Sequence, residues 1–361
     1  MPSLLARLLL TVWCLCASPL WAANTVPDNA IVLNDQTPVL EVNTPIQTWI
    51  DEGSHANIDL VAGGAAHFTP APALGHFSLN KYNTLWIKLR LVRAPNSQAA
   101  WTLNLPLPFV DMVALYQLDS NGQWTVQRAG DTLPHSEWRT KGLYPDFDLQ
   151  INGDAPHDVY LQVRNFKQVG LPIRLATGQQ RDGQRQVELL SLGLMLGALL
   201  SLAALSILRY LEHRKAIDGW ASLFGLLVAA TIAQISGVLN AFLWSNVPEL
   251  GNLASSTLPV IAVGCALLFI RNVFSLFVHY HRFDRFLSSV GWGTIASVLA
   301  FAVMDRFVAD RVCGMIMLFA TVVGLIAVFL SWRGGSMVAR WLMLALAPQF
   351  LGLIYMVGEA I

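Results

Sequence analysis

The chain changes character near Val187. Before it lies a polar stretch with short alternating apolar runs; after it the sequence is almost continuously apolar, broken by short charged segments. A bilayer admits only internally hydrogen-bonded helices or closed barrels, so the second half is confined to a helical bundle. The first half is free to fold in water. Length alone allows two bodies. The charged fraction is 13%, well under the about 25% of a soluble domain, and the deficit sits in the C-terminal half.

The opening, MPSLLARLLLTVWCLCASPLWAA, reads as a secretory leader over residues 1–22. Arg7 supplies the basic start, Leu8 to Cys16 the apolar stretch, and Leu20-Trp21-Ala22 a tolerable cleavage tripeptide. An uncleaved anchor is the alternative. Cys14 and Cys16 fall in the leader, and Cys265 and Cys313 in apolar runs. The outer domain, 24–180, therefore has neither disulfides nor a thiolate metal site and stands on its own core. Formal net charge is zero, so no nucleic-acid partner is expected.

Six uncharged runs reach the about 20 residues that a 30 Å hydrocarbon core requires. They are Leu189–Leu208, Trp220–Trp244, Leu250–Ile270, Phe286–Met304, Val312–Trp332 and Trp341–Gly358, forming a bundle over 189–361. The first, third and fifth connections carry the basic residues: Arg209, Arg214 and Lys215, then Arg271, Arg282 and Arg285, then Arg333 and Arg340. The second has none, and the fourth has Arg306 and Arg311, each near an aspartate. Basic connections face the cytoplasm, which puts the first domain outside. Six crossings return the chain outward, so a seventh span and any cytoplasmic output domain are expected outside this sequence.

Polar residues within the runs include Gln234, Asn240, Ser255 and Ser256. They serve either a labile core or plain helix–helix adhesion, the second being the more ordinary role. No charged residue sits at mid-membrane depth, which argues against an ion or proton pump. No lysine follows Lys215, so a retinal Schiff base is excluded.

Seven strands are predicted in the outer half: Thr84–Val92, Ala100–Leu105, Met112–Leu118, Trp124–Arg128, Phe147–Ile151, Val159–Arg164 and Ile173–Ala176. Turn signals separate them, including Asp119-Ser-Asn-Gly122 and Asn152-Gly153-Asp154. In Thr84–Val92, Trp86, Lys88 and Arg90 alternate with Ile87, Leu89 and Leu91, the pattern of a half-buried antiparallel strand. An all-β jelly roll or β-sandwich follows.

Trp86-Ile-Lys-Leu-Arg-Leu91, Asp111-Met-Val-Ala-Leu-Tyr116, Arg128-Ala-Gly-Asp-Thr-Leu-Pro134 and Tyr160-Leu-Gln-Val-Arg164 together resemble the type 2 extracellular domain of bacterial 7TM receptors with diverse intracellular signalling modules, the 7TMR-DISM family. Arg271-Asn-Val-Phe, Phe283-Asp-Arg-Phe-Leu287 and Ala339-Arg-Trp-Leu-Met-Leu-Ala resemble that family's membrane region. The resemblance spans about Ile31 to Ile361. It implies a jelly roll similar to carbohydrate-binding modules, a seven-helix bundle, and an output that is often a diguanylate cyclase or a histidine kinase.

Aromatic faces and guanidinium forks suit a sugar-like or small polar ligand. Trp86, Trp101, Tyr116, Trp124, Trp138, Arg139 and Tyr144 form the pool, and the polar stretch Asp131–Tyr144 is the best candidate. Arg128, Asp131, Trp138, Arg139 and Tyr144 are the candidate ligand-binding residues. The plainer alternative makes Trp86, Trp101 and Trp124 core and Trp138 a cover for the sheet edge. His55, His67, His76, His135 and His157 lack ligand spacing, so no metal is expected, nor any cofactor. No nucleophile, P-loop or dinucleotide motif is present, so no catalytic residue is assigned.

The expected function is that of a multi-pass receptor in a bacterial inner membrane, joined to its outer domain through the polar linker Thr177–Glu188, whose core is 181–188. Expected partners are the lipid bilayer, a small periplasmic ligand, and a second copy or a cytoplasmic signalling protein. The alternatives are a non-signalling anchored module acting laterally on a partner, and a transporter or enzyme.

Overall fold

The computed structural model describes residues 29–42, 46–71, 76–151, 153, 155–166, 168–276 and 280–344. The expected leader, the turn residues Asn152 and Asp154, and most of the sixth apolar run lie outside the described residues.

The outer body is built from strands β1 Ile31–Leu33, β2 Val39–Val42, β3 Gln47–Asp51, β4 Thr69–Pro70, β5 His76–Phe77, β6 Thr84–Arg93, β7 Trp101–Asn104, β8 Met112–Leu118, β9 Trp124–Ala129, β10 Asp146–Asp148, β11 His157–Arg164, β12 Val169–Gly170 and β13 Ile173–Thr177. The larger sheet runs β4-β3-β6-β11-β8-β9, with β1 added parallel to β6. The smaller sheet runs β10-β7-β13-β2, all antiparallel. β5 and β12 form a separate pair.

The alternation in β6 explains its central place. Ile87, Leu89 and Leu91 are fully buried and share one core with Leu161, Val113 and Leu115 from the same sheet and Leu103, Ile173 and Leu175 from the other. Each such side chain contributes about 1.5–3 kcal/mol of burial. The opposite face of β6 departs from the half-buried expectation. Trp86 is fully buried there, among Val61, Tyr160, Tyr116 and Trp124, beneath the segment that carries Ala56, Ile58 and Phe68. Lys88 and Arg90 stay at the margin and both engage Asp158, at 2.9 and 2.7 Å. Burial alone would raise the Asp158 carboxyl, but the bonds from Arg90 and Lys88 outweigh it and hold it below the usual range.

The helical region comprises α1 Gly178–His213, α2 Ala216–Ile235, α3 Val238–Phe242, α4 Pro248–Val273, α5 His281–Phe301, α6 Arg306–Arg333, and α7 over 337–344. Four of these helices are long and apolar enough to cross a membrane: α1, α2, α4 and α6 from Val308 onward. Such helices make the chain a multi-pass membrane protein in contact with lipid. Leu190, Leu194, Leu202 and Leu208 of α1 are each more than half exposed, as lipid-facing side chains should be. α5 opens on Arg282, Asp284 and Arg285, which shortens its apolar stretch. α4 is central and packs on α2, α5 and α6.

The structure refines two expectations. The polar stretch between the two bodies is helical, a conformation that the sequence reading left open: β13 ends at Thr177, which is itself the N-terminal cap of α1. Straight-chain Gln, Arg and Glu side chains in Gly178–Glu188 favour helix. The run Trp220–Trp244 is not one helix. α2 stops at Ile235, and Gly237 turns the chain at φ +79° before the short α3. A Cβ on Gly237 would stand 2.5 Å from the Leu143 carbonyl oxygen, so the backbone turns where it meets the outer body.

Candidate functional site

The outer body sits on one end of the bundle, and the segment that follows β9 makes part of the junction. Gly130, at the end of β9, holds φ +144°, and a Cβ there would stand 2.3 Å from the Asp111 carbonyl oxygen. Glycine thus lets the chain press against the start of β8. The Asp131 amide donates to Val110 O at 2.8 Å, and Thr132 Oγ1 donates to Asp111 O at 2.6 Å. Asp131 and Asp111 are brought side by side.

Arg306 meets both carboxylates. Its Nη1 lies 3.0 Å from Asp111 Oδ1 and its Nη2 donates to Asp131 Oδ2 at 3.1 Å. Its guanidinium carbon lies 4.5 Å from the centre of the Phe166 ring. The Phe166 amide donates to Asp111 Oδ2 at 2.9 Å. Arg306 occupies the first turn of α6, where the helix dipole disfavours a cation. Two carboxylates from the outer body oppose that effect. The Asp131 side chain is only 6% exposed, so this pairing works in a low-dielectric setting.

A polar cluster lies across the junction. Gln234 Nε2 donates to Gly251 O at 2.9 Å and to Asn240 Oδ1 at 3.0 Å. The Trp244 indole N–H reaches Gln234 Oε1 at 3.2 Å and Asn240 Oδ1 at 3.1 Å. Ser256 Oγ donates to Asp310 Oδ1 at 3.1 Å. Between this cluster and the Arg306 pairs is a cavity of about 500 Å3, walled from the outer body by Phe109, Asn165 and Gln168 and from the bundle by Gln234, Asn240 and Asn252.

A second junction forms at the root of α1. Arg181 lies 3.5 Å from Asp146 and 3.8 Å from Asp148, and the Tyr144 hydroxyl donates to Glu188. Burial raises the Tyr144 phenol, and the Glu188 bond raises it further. Burial also pushes Asp146 up to about 6, against the opposing pull of Arg181.

The five candidate ligand residues are spread over this region. Asp131 lines the cavity and Tyr144 is bonded to α1. Trp138 is 4% exposed and packs in the core, stacked on His135 with ring centres 4.2 Å apart. Burial lowers the His135 imidazole pKa, against the bond to the Gly142 carbonyl that raises it. Arg139 is exposed beside Asp148, and Arg128 is exposed on β9 opposite Ala114. The structure therefore gathers Asp131 and Tyr144 at the junction and does not assemble all five into one pocket. Trp86 and Trp101 are core residues.

Asp111, Phe166 and Arg306 are absent from the sequence-based set. Their signal was faint: the fourth connection carries basic residues on the side that faces a mildly acidic domain.

A β-rich outer body fused strand-to-helix to an apolar bundle defines a membrane protein with a folded β-sheet head. Residues 43–177 match the family described as 7TMR-DISM extracellular 2, and residues 188–360 match the family described as 7TM diverse intracellular signalling. The chain belongs to the 7TMR-DISM family in both of its parts. No curated protein matches it.

Proposed function

We propose that this chain is the input half of a sensory receptor of a bacterial inner membrane. Its outer body is a jelly roll in the periplasm, exported by the leader over 1–22. Six spans lie between 189 and 361. A small polar ligand, engaged in the region of Asp131 and Tyr144, shifts the packing of the bundle and so controls a cytoplasmic output such as a diguanylate cyclase or a histidine kinase.

One observation carries this reading: the outer body grips the bundle at two separate places. β13 runs into α1 without a break. Asp111 and Asp131 hold the first turn of α6 through Arg306. A change of shape in the head between these two attachments would therefore displace one helix relative to the other. Membership of a family described by its diverse intracellular signalling supports the same reading. So does charge, since Arg209, Arg214, Lys215, Arg271 and Arg333 lie near the helix ends remote from the head. A ligand acts only through its difference in affinity for two packings.

The test follows the reactivity of a thiol at Arg333→Cys in inner-membrane vesicles, once with Arg306 intact and once with Arg306→Ala. The reading expects ligand-containing extracts to change that reactivity when Arg306 is intact and not in the Arg306→Ala variant. Identical behaviour of the two forms rules out coupling through this junction.

A further inference from the structure

We propose that the cavity between the outer body and the bundle is a binding site for an uncharged solute that carries both hydrogen-bond donors and acceptors. This rests on the receptor reading of the same junction and adds the place and chemistry of the ligand. At about 500 Å3 the cavity falls within the size range of small-molecule sites, and it lies at a domain interface, where such sites concentrate.

The cation that lines the cavity is already paired: Arg306 is engaged by Asp111 and Asp131, while Asp310 accepts from the neutral Ser256 hydroxyl. An anionic ligand would have to pull Arg306 from its carboxylates or be desolvated beside Asp131 and Asp310 without a new counter-ion, and both are costly; any buried charge also loses its hydration. Uncommitted hydrogen-bonding capacity belongs instead to carboxamides. Trp244 Nε1 can only donate, so the oxygen of Asn240 must face it, and the Asn240 NH2 points elsewhere. Among the described residues no protein acceptor takes that NH2, and the carboxamides of Asn252 and Gln168 likewise have no protein partner. All three residues line the cavity. A carboxamide both donates and accepts, as does a hydroxylated or amide-bearing neutral molecule. Phe109 and Ile235 add an apolar wall for a ring face.

Gln168 belongs to the outer body and Asn240 and Asn252 to the bundle. A ligand bridging them binds best at one spacing of the two bodies, which is the differential affinity a receptor needs.

The test is calorimetry on the full chain in lipid nanodiscs with three matched probes: glucose, protonated glucosamine and gluconate. Saturable glucose binding is expected, at least about tenfold tighter than either charged analogue, since burying an unpaired charge is expensive. Asn252→Ala and Gln168→Ala should each weaken it about fivefold, the worth of one hydrogen bond. Gln36→Ala, on a distant exposed turn, should not change it. Equal or tighter binding of a charged probe, insensitivity to both cavity variants, or no saturable binding of any probe overturns the proposal. Thiol reactivity at position 333 reports coupling separately, so a failed ligand class is distinguishable from a failed receptor reading.

Discussion

Arg306 and Asp131 are 175 residues apart in sequence, yet Arg306 Nη2 donates to Asp131 Oδ2 at 3.1 Å. That bond joins a loop of the outer body to the first turn of a membrane helix. It converts two independently plausible domains into one mechanical unit, because the outer body is also continuous with α1.

Arg306→Ala leaves Asp131 buried and short of a cation. The expected loss is about 2–5 kcal/mol of head-to-bundle affinity, the usual cost of truncating one partner of a desolvated pair. Hydrogen exchange over 131–144 should quicken while β6 and β11 remain protected. Unchanged exchange in that loop would show that the pair contributes nothing.

Asp146 gives a pH signature. Its folded value near 6 lies above the unfolded value of about 3.8. The folded state therefore holds the proton more tightly, and the stability this contributes is fully present below about pH 4 and lost as pH rises through 6. Asp146→Asn should remove this component. The difference in melting temperature, wild type minus variant, should fall between pH 4 and 7; a flat difference would contradict the assignment.

Gly237→Ala places a side chain at φ +79° and 2.5 Å from the Leu143 carbonyl. A cost of about 1–3 kcal/mol is expected from backbone strain alone. Thermal unfolding in detergent should show it, and a neutral result would mean that this turn is not held against the outer body.

At the other end of the bundle, Arg271 and Asp284 form a two-pronged pair at 2.7 and 2.9 Å, with Asp284 almost fully buried. Breaking it with Arg271→Ala should cost about 3–5 kcal/mol, since an uncompensated buried carboxylate remains. The paired change Arg271→Met with Asp284→Leu should recover much of that loss, and a double variant as unstable as the single would refute the desolvation argument.

The sequence was most informative where one periodicity dominated. β8 was read to the residue, and β6 and β11 to within two, because their inward residues alternate cleanly. β1 to β5 and β12 were not read: β1, β4, β5 and β12 are two or three residues long and specified by their neighbours, and β2 and β3, four and five residues long, show no clear alternation of apolar and polar residues. The apolar runs gave α1, α4 and α6 by composition, but hydropathy carries no information on the break at Gly237, which is set by contact with Leu143. The junction was legible only in part. Asp131 and Tyr144 stood out in a polar loop, whereas Arg306 lies far along the chain and acquires meaning only once α6 is placed beneath that loop.

The central claim is that the head and the far end of the bundle are mechanically linked through Arg306. Spin labels at Arg214→Cys and Arg333→Cys, near the ends of α1 and α6 remote from the head, give the most direct measurement by pulsed dipolar distance spectroscopy in nanodiscs. The account predicts that Arg306→Ala broadens or shifts that distance distribution. A distribution identical to the one obtained with Arg306 intact would contradict it.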